Sequence, residues 1–373
     1  MLASTVHTAT VMAQRAVQWE GLPGTLLEND RIELVTLDKG GAFVSLLLKD
    51  DARKINPIWD PIRLARETKA PSRFGSSLGH FVCVDGFGPS SPDEQKAGLQ
   101  GHGEAHRQNW QRTSAGRDGK RQHLAYKTHL PMVQENFTRR MEIVDGEQVV
   151  YVDSELESLL GFDRPINWAE HATIGAPFLA PGKTVVDASV GQCQARPHAQ
   201  QPPNRTLASG KDFAYPMAAK LDGSLRDVRL VPDPPNSMDH TTCTVDPKRA
   251  HGFVTALNTE QRLLLGYVFR REEYPWLQEW LNYPPTGALS RGLEFGTQPY
   301  DVSRRQAVTT GTMFGVPAYR WLPAKSKVSS RFLFFWTRIP AGMTKVDDVI
   351  LQGGKLVISG SGQRIEIGAS LGL

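Results

Sequence analysis

Asp145-Gly146 divides the stretch "FTRRMEIVDGEQVVYVDSELES" (137–158) into two runs in which apolar and polar residues alternate. A period of two buries one face of a strand and wets the other. An Asp-Gly pair supplies the positive φ angles of a two-residue hairpin turn. The pattern recurs at 31–50 around Lys39-Gly40-Gly41 and at 252–271 around Asn258, and residues 327–339 and 355–371 add further β-rich runs. Helical periodicity is confined to short pieces such as "PIRLARET" (61–68). The 34 glycines and 25 prolines are spread throughout, as turns between many short strands require. No Pro/Gly/Ser linker divides the chain and no repeat of fixed period is present. These features predict an all-β fold, one large antiparallel β-sandwich over residues 25–373, preceded by an extension over 1–24.

Partners are bounded by charge and hydropathy. The 43 basic and 39 acidic residues leave a net charge of only +4, with no stripe of Lys/Arg interleaved with aromatics. Nucleic acid is therefore not an expected partner. The densest basic stretch, "RTSAGRDGKR" (112–121), reads as a solvated turn. No apolar run approaches the roughly 18 residues of a membrane span. The N-terminal 21 residues lack the basic and apolar regions of a signal peptide. A cytoplasmic location is the expectation, with an exported mature form as its alternative. Cys83, Cys193 and Cys243 are odd in number and far apart, which argues against a disulfide framework and a structural zinc site. Cys83, in "HFVCVDGF", reads as a small buried hydrophobe.

Three stretches carry candidate chemistry. "LQGHGEAHRQNW" (99–110) holds His102, Glu104 and His106. Its order is not H-E-x-x-H, its glycines oppose a helix, and strand steps of roughly 6.6 Å would keep the three side chains from converging on one ion. No metal is expected there. His171 lies in "INWAEHATIGAPFL" (166–179), where the bland reading is a buried histidine bonded to backbone. Glu294 lies between Leu293 and Phe295 beside glycines, a setting that raises a carboxyl pKa and suits proton transfer. Upstream, "EYPWLQEWLNY" groups Tyr274, Trp276, Trp280 and Tyr283 with Gln278. Such a segment is either an aromatic core strand or a surface for the C–H faces and hydroxyls of a sugar.

At these residues the chain resembles the aldose 1-epimerase (galactose mutarotase-like) superfamily. His102-Gly103, His171 and "GLEFGTQP" with Glu294 stand in that superfamily's order, and "WLQEW" (276–280) is similar to the aromatic segment before its glutamate. The resemblance spans roughly residues 25–370. It implies a galactose mutarotase-like supersandwich with an open sugar cleft and no cofactor. It also implies that His171 protonates the ring oxygen while Glu294 takes the proton of the anomeric hydroxyl. His102, Arg73, Gln278, Trp276 and His80 are the expected substrate-binding residues. Arg73, in "APSRFGSSLGHF", has no Asn before it, unlike the Asn-Arg pair common in the superfamily, and Asp239 is the nearest candidate for a hydroxyl-binding aspartate.

The expected partner is a small sugar, bound by a monomer or weak homodimer. Two functions stay open at this stage: an anomer-interconverting enzyme, and a non-catalytic carbohydrate-binding protein on the same fold. A lyase or glycosidase would need a different base or a second opposed carboxylate, for which only Glu104 offers itself.

Overall fold

A computed structural model describes residues 14–69, 77–198 and 204–373. Strand accounts for 52% of these residues and helix for 7%. Two large antiparallel sheets lie face to face. Among the described residues one sheet has eight strands, in the order Thr184–Ala188, His251–Asn258, Leu263–Arg270, Lys327–Arg338, Val149–Ser158, Glu135–Val144, Arg121–Leu130 and Gln111–Asp118. The second has nine. Its main path runs Asp212–Ala214, Val190–Ala195, Ser237–Val245, Trp276–Tyr283, Glu294–Gly296, Trp168–His171 and Phe81–Val84. The hairpins expected at 31–50, 137–158 and 252–271 are all present, and Pro61–Thr68 is helical, capped by Asp60 Oδ1 accepting from the Arg63 N–H at 2.9 Å.

The run "LLLGYVFR" (263–270) is apolar on both faces because both are covered. Leu263, Leu265, Tyr267 and Phe269 point into the core between the sheets. Leu264 and Val268 point outward, against Val349, Leu356 and Ile358 of the C-terminal three-stranded sheet. The neighbouring strand divides likewise, with Phe332, Phe334 and Trp336 inward and Leu333 and Phe335 outward. Each such side chain contributes about 1.5–3 kcal/mol by leaving water.

Gln14–Trp19 pairs with Leu22–Glu28 at the edge of a four-stranded sheet. Two expectations are corrected. The basic stretch at 112–121 is not simply a turn. Most of it forms the exposed edge strand Gln111–Asp118, where charged side chains discourage pairing with other chains. Cys193 and Cys243, 50 residues apart, form a disulfide because they face each other across adjacent strands, with Cα atoms 4.1 Å apart. Cys83 is the free, buried thiol among the three. No helix among the described residues is long and apolar enough to cross a membrane.

Candidate active site

The nine-stranded sheet sorts its side chains by parity. On Trp168–His171, Glu170 points into the sandwich and His171 points out. Glu170 takes part in a fully buried polar cluster. Its carboxylate accepts from Arg139 Nη2 at 2.5 Å, from the Tyr274 hydroxyl at 3.2 Å and from Trp168 Nε1 at 3.3 Å, and lies 3.0 Å from His80 Nε2. The Arg139 guanidinium is enclosed by Phe43, Phe137 and Phe332. A buried charge is tolerated only when paired and hydrogen-bonded in this way.

On the outer face His171 stacks on Phe81, its cross-strand partner, with ring centroids 4.4 Å apart. Its Nδ1 lies 2.9 Å from Thr173 Oγ1, and Nε2 lies 3.4 Å from Glu294 Oε1. That last contact is close enough for attraction but not aligned as a hydrogen bond, and Glu294 Oε1 has no hydrogen-bond partner. The strand Glu294–Gly296 sits between Trp276–Tyr283 and Trp168–His171, which places Glu294 beside His171. Leu293 and Phe295 turn into the core while Glu294 turns out. Gly292, two residues earlier on the same side, makes room for it: a Cβ there would overlap Glu294 Oε1.

His102 reaches the same place from a loop. It adopts a left-handed φ of 64°, and Gly103 follows at 71°. A Cβ at Gly103 would collide with the Val84 carbonyl oxygen, so glycine is required where the loop crosses the sheet. His102 Nδ1 accepts from the Gly88 N–H at 3.3 Å and lies 3.5 Å from the Cys83 thiol, which leaves Nε2 to carry the proton. The His102 and His171 rings are 5.3 Å apart.

His102, His171 and Glu294 line one cavity of about 150 Å³ together with Trp59, Trp280, His240, Asp301 and Ser77. That volume is below the roughly 300–1,000 Å³ of drug-sized pockets and suits one small polar molecule. Trp59 and Trp280 meet edge to face at 6.1 Å. Burial lowers the pKa of His171 well below the histidine range, and His102 and His106 add to the effect. Burial, reinforced by the Asp301 charge, raises Glu294 well above the carboxylate range. His102 is lowered to about 4 by burial.

Several expected site residues lie elsewhere. His80 has the parity of Val82 and faces the core, where it stacks on Phe332 and meets Glu170. Trp276 and Gln278 share the cleft side of their strand with Trp280 but are covered. Trp276 Nε1 donates to the Pro317 carbonyl at 2.7 Å, and Gln278 Nε2 donates to the Gln298 carbonyl at 2.9 Å. Only Trp280 of that segment lines the cavity. Asp239 points away from it and accepts from the Thr206 and Leu207 N–H groups. Glu104 is held by the Met132 and Val133 N–H groups, and His106 is buried behind His102. Arg73 lies outside the described residues. Among the described residues no group of three or more His, Cys, Asp or Glu side chains is arranged to hold a metal ion.

Asp301, His240 and Trp59 went unread in the sequence. Asp301 stands seven residues after Glu294 in "EFGTQPYD", and its carboxylate is paired with Arg196, whose Nη2 also donates to the Asp301 carbonyl at 2.9 Å. His240 is the register partner of Trp280.

The protein is an all-β sandwich with His171 and Glu294 side by side in a small cleft walled in part by Trp59 and Trp280. No family model matches the chain, and no curated protein matches it in sequence. Solved structures do match its shape. A galactose mutarotase-like protein from Clostridium acetobutylicum superposes with a TM-score of 0.62 at 12% identity, over 87% of this chain and 98% of that one. A galactose mutarotase related enzyme from Lactobacillus acidophilus gives 0.54 at 12% identity, over 88% and 100%. The Slr1438 protein from Synechocystis gives 0.54 at 14% identity, over 89% and 100%. The chain has the galactose mutarotase-like fold.

Proposed function

We propose that the protein is an aldose 1-epimerase-like enzyme that interconverts the anomers of a small sugar. The observation that carries this reading is the His171–Glu294 pair, 3.4 Å apart on the wall of a cavity of about 150 Å³, with Oε1 lacking a hydrogen-bond partner. Ring opening needs one proton delivered to the ring oxygen and one removed from the anomeric hydroxyl, by groups that reach the same ring. The imidazole and the carboxyl between them supply one acceptor and one donor. The C1–ring oxygen bond then breaks, the C1–C2 bond rotates, and reclosure on the other face returns both protons. His102 Nε2–H and Asp301 are placed to hold hydroxyls, and the Trp59 and Trp280 rings to meet C–H faces.

The second reading, a non-catalytic sugar binder, rests on those two rings, because binding needs the aromatics without the pair. The experiment compares wild type with Glu294→Gln and His171→Asn. NMR exchange spectroscopy follows anomer interconversion on a panel of aldoses. On any sugar that wild type accelerates, each variant should lose roughly 10²–10⁴-fold in rate. Saturable binding with only the spontaneous rate in wild type favours the binder. The Cys193–Cys243 disulfide supports the exported location over the cytoplasmic one, since such bonds persist in oxidising compartments.

A further inference from the structure

Of the two carboxylates on the cavity wall, Glu294 stands on a strand and Asp301 does not. Asp301 lies on the segment between Glu294–Gly296 and the helix Arg304–Thr310, where no strand ladder holds it. A carboxylate on such a segment needs another group to aim it. Arg196 does so by two contacts. Its Nη1 is paired with Asp301 Oδ1, and its Nη2 donates to the Asp301 carbonyl at 2.9 Å. Oδ1 is buried, so Oδ2 is the carboxylate oxygen left to face the cavity. A planar guanidinium holds two acceptors at once in a fixed geometry, which an ammonium does not.

The sheet sets Arg196 in place. Arg196 follows Val190–Ala195, and its N–H donates to the His240 carbonyl at 3.0 Å, one pair beyond Ala195 and Thr241. His240 is in turn opposite Trp280. Paired residues share a face, so Arg196, His240 and Trp280 form one row on the cleft side. His240 and Trp280 line the cavity, and Arg196 is not among its described lining residues. Its influence on a ligand therefore runs through Asp301.

The backbone of the Asp301 segment is held independently. Gly88 packs so closely on it that a Cβ there would overlap the Asp301 carbonyl. Gly88 is itself tied to His102: its carbonyl accepts from the His102 N–H at 2.9 Å, and its N–H donates to His102 Nδ1 at 3.3 Å. Three residues beyond Asp301, Arg304 Nη1 donates to Asp85 Oδ2 at 2.8 Å. The segment thus stays beside the His102 loop when Arg196 is changed, and what is released is the carboxylate.

We propose that Arg196 is a positioning residue of the cleft: it aims the Asp301 carboxylate at one hydroxyl of the sugar, and so sets which hydroxyl the cleft requires, without touching the sugar itself. This rests on the sugar reading above, in either its catalytic or its binding form.

The test measures affinities by calorimetry on the full chain, for a panel of aldoses and for the monodeoxy analogues of any that bind. In wild type, removal of one particular hydroxyl should weaken binding about tenfold or more, the usual worth of a charge-assisted hydrogen bond. Asp301→Ala and Arg196→Gln should each weaken the parent sugar by a similar factor and become indifferent to loss of that same hydroxyl. The double variant should bind no more weakly than either single one, since the two side chains act as a unit. On a sugar that wild type turns over, the loss should fall on KM, with kcat changed by less than about threefold, because the contact is made in ground and transition states alike. Should Arg196→Gln fail to fold, Arg196→Lys, which keeps the charge without the two-point grip, carries the same comparison with a smaller loss. A wild type that binds no aldose overturns the sugar reading and this proposal with it. A wild type that binds, while the Arg196 variant has no effect, weakens every analogue equally, or adds its full loss to that of Asp301→Ala, overturns this proposal alone.

Discussion

Gly292→Ala should silence the site while leaving the fold intact. Gly292 has an ordinary negative-φ backbone, so alanine is permitted there, but the added Cβ would occupy the space of Glu294 Oε1. What yields is the free end of a flexible side chain, not backbone. Rotating the carboxyl off its preferred rotamer costs about 0.5–1.5 kcal/mol, a small fraction of the stability of a domain. Restoring ordinary van der Waals contact moves the oxygen by roughly 1 Å, and misplacing a reacting group by that distance costs about 10²-fold in rate, or about 2.7 kcal/mol of barrier. The expected signature is therefore a kcat near one hundredth of wild type with an unfolding midpoint almost unchanged. The assay is anomer exchange by NMR, paired with urea unfolding followed by tryptophan fluorescence. Wild-type turnover in a folded Gly292→Ala protein would show that the Glu294 carboxyl takes no part in proton transfer.

Two further outcomes concern stability. Replacing both Cys193 and Cys243 by Ser reopens a 50-residue loop, for which the chain-entropy relation gives about 4 kcal/mol; a variant whose denaturation midpoint matches that of oxidised wild type would contradict the disulfide. His102 and His106 are lowered by burial to about 4 and about 3, below the ordinary value of about 6.5. The unfolded chain then binds more protons than the folded one between those values, so their contribution is complete above about pH 6.5 and is lost as pH falls toward 4 and 3. NMR titration of the ring protons should show neither His102 nor His106 gaining a proton between pH 7 and pH 5, and a titration midpoint near the ordinary value of about 6.5 would refute the burial of these rings.

The sheets were legible because hairpins are local: Asp145-Gly146 and the runs beside it carry the turn and both strands within 22 residues. The site was legible only in part. His171 and Glu294 sit in short motifs, but the choice of which neighbours join them is made by register across strands far apart in the chain. His80 is drawn into the core by Glu170, 90 residues away, and Gln278 is capped by the Gln298 carbonyl. Asp301 and His240 reach the cavity through pairings that no local pattern announces. The disulfide escaped for the same reason: an odd cysteine count obscured a pair that only strand adjacency brings together.

The alternation of Glu170 and His171 has a consequence for how this cleft can change over time. A shift of one residue along the strand would carry the Glu170 charge out of its enclosure of Arg139, His80 and Tyr274 and drive an imidazole into it. The strand is thereby barred from sliding, and the His171 backbone is anchored by an interior that never meets the ligand. Novelty in what the cleft accepts must come from its rim, where Trp59, Ser77 and Asp301 arrive on connecting segments outside the named strands. Changes in those segments leave the strand register of the floor untouched.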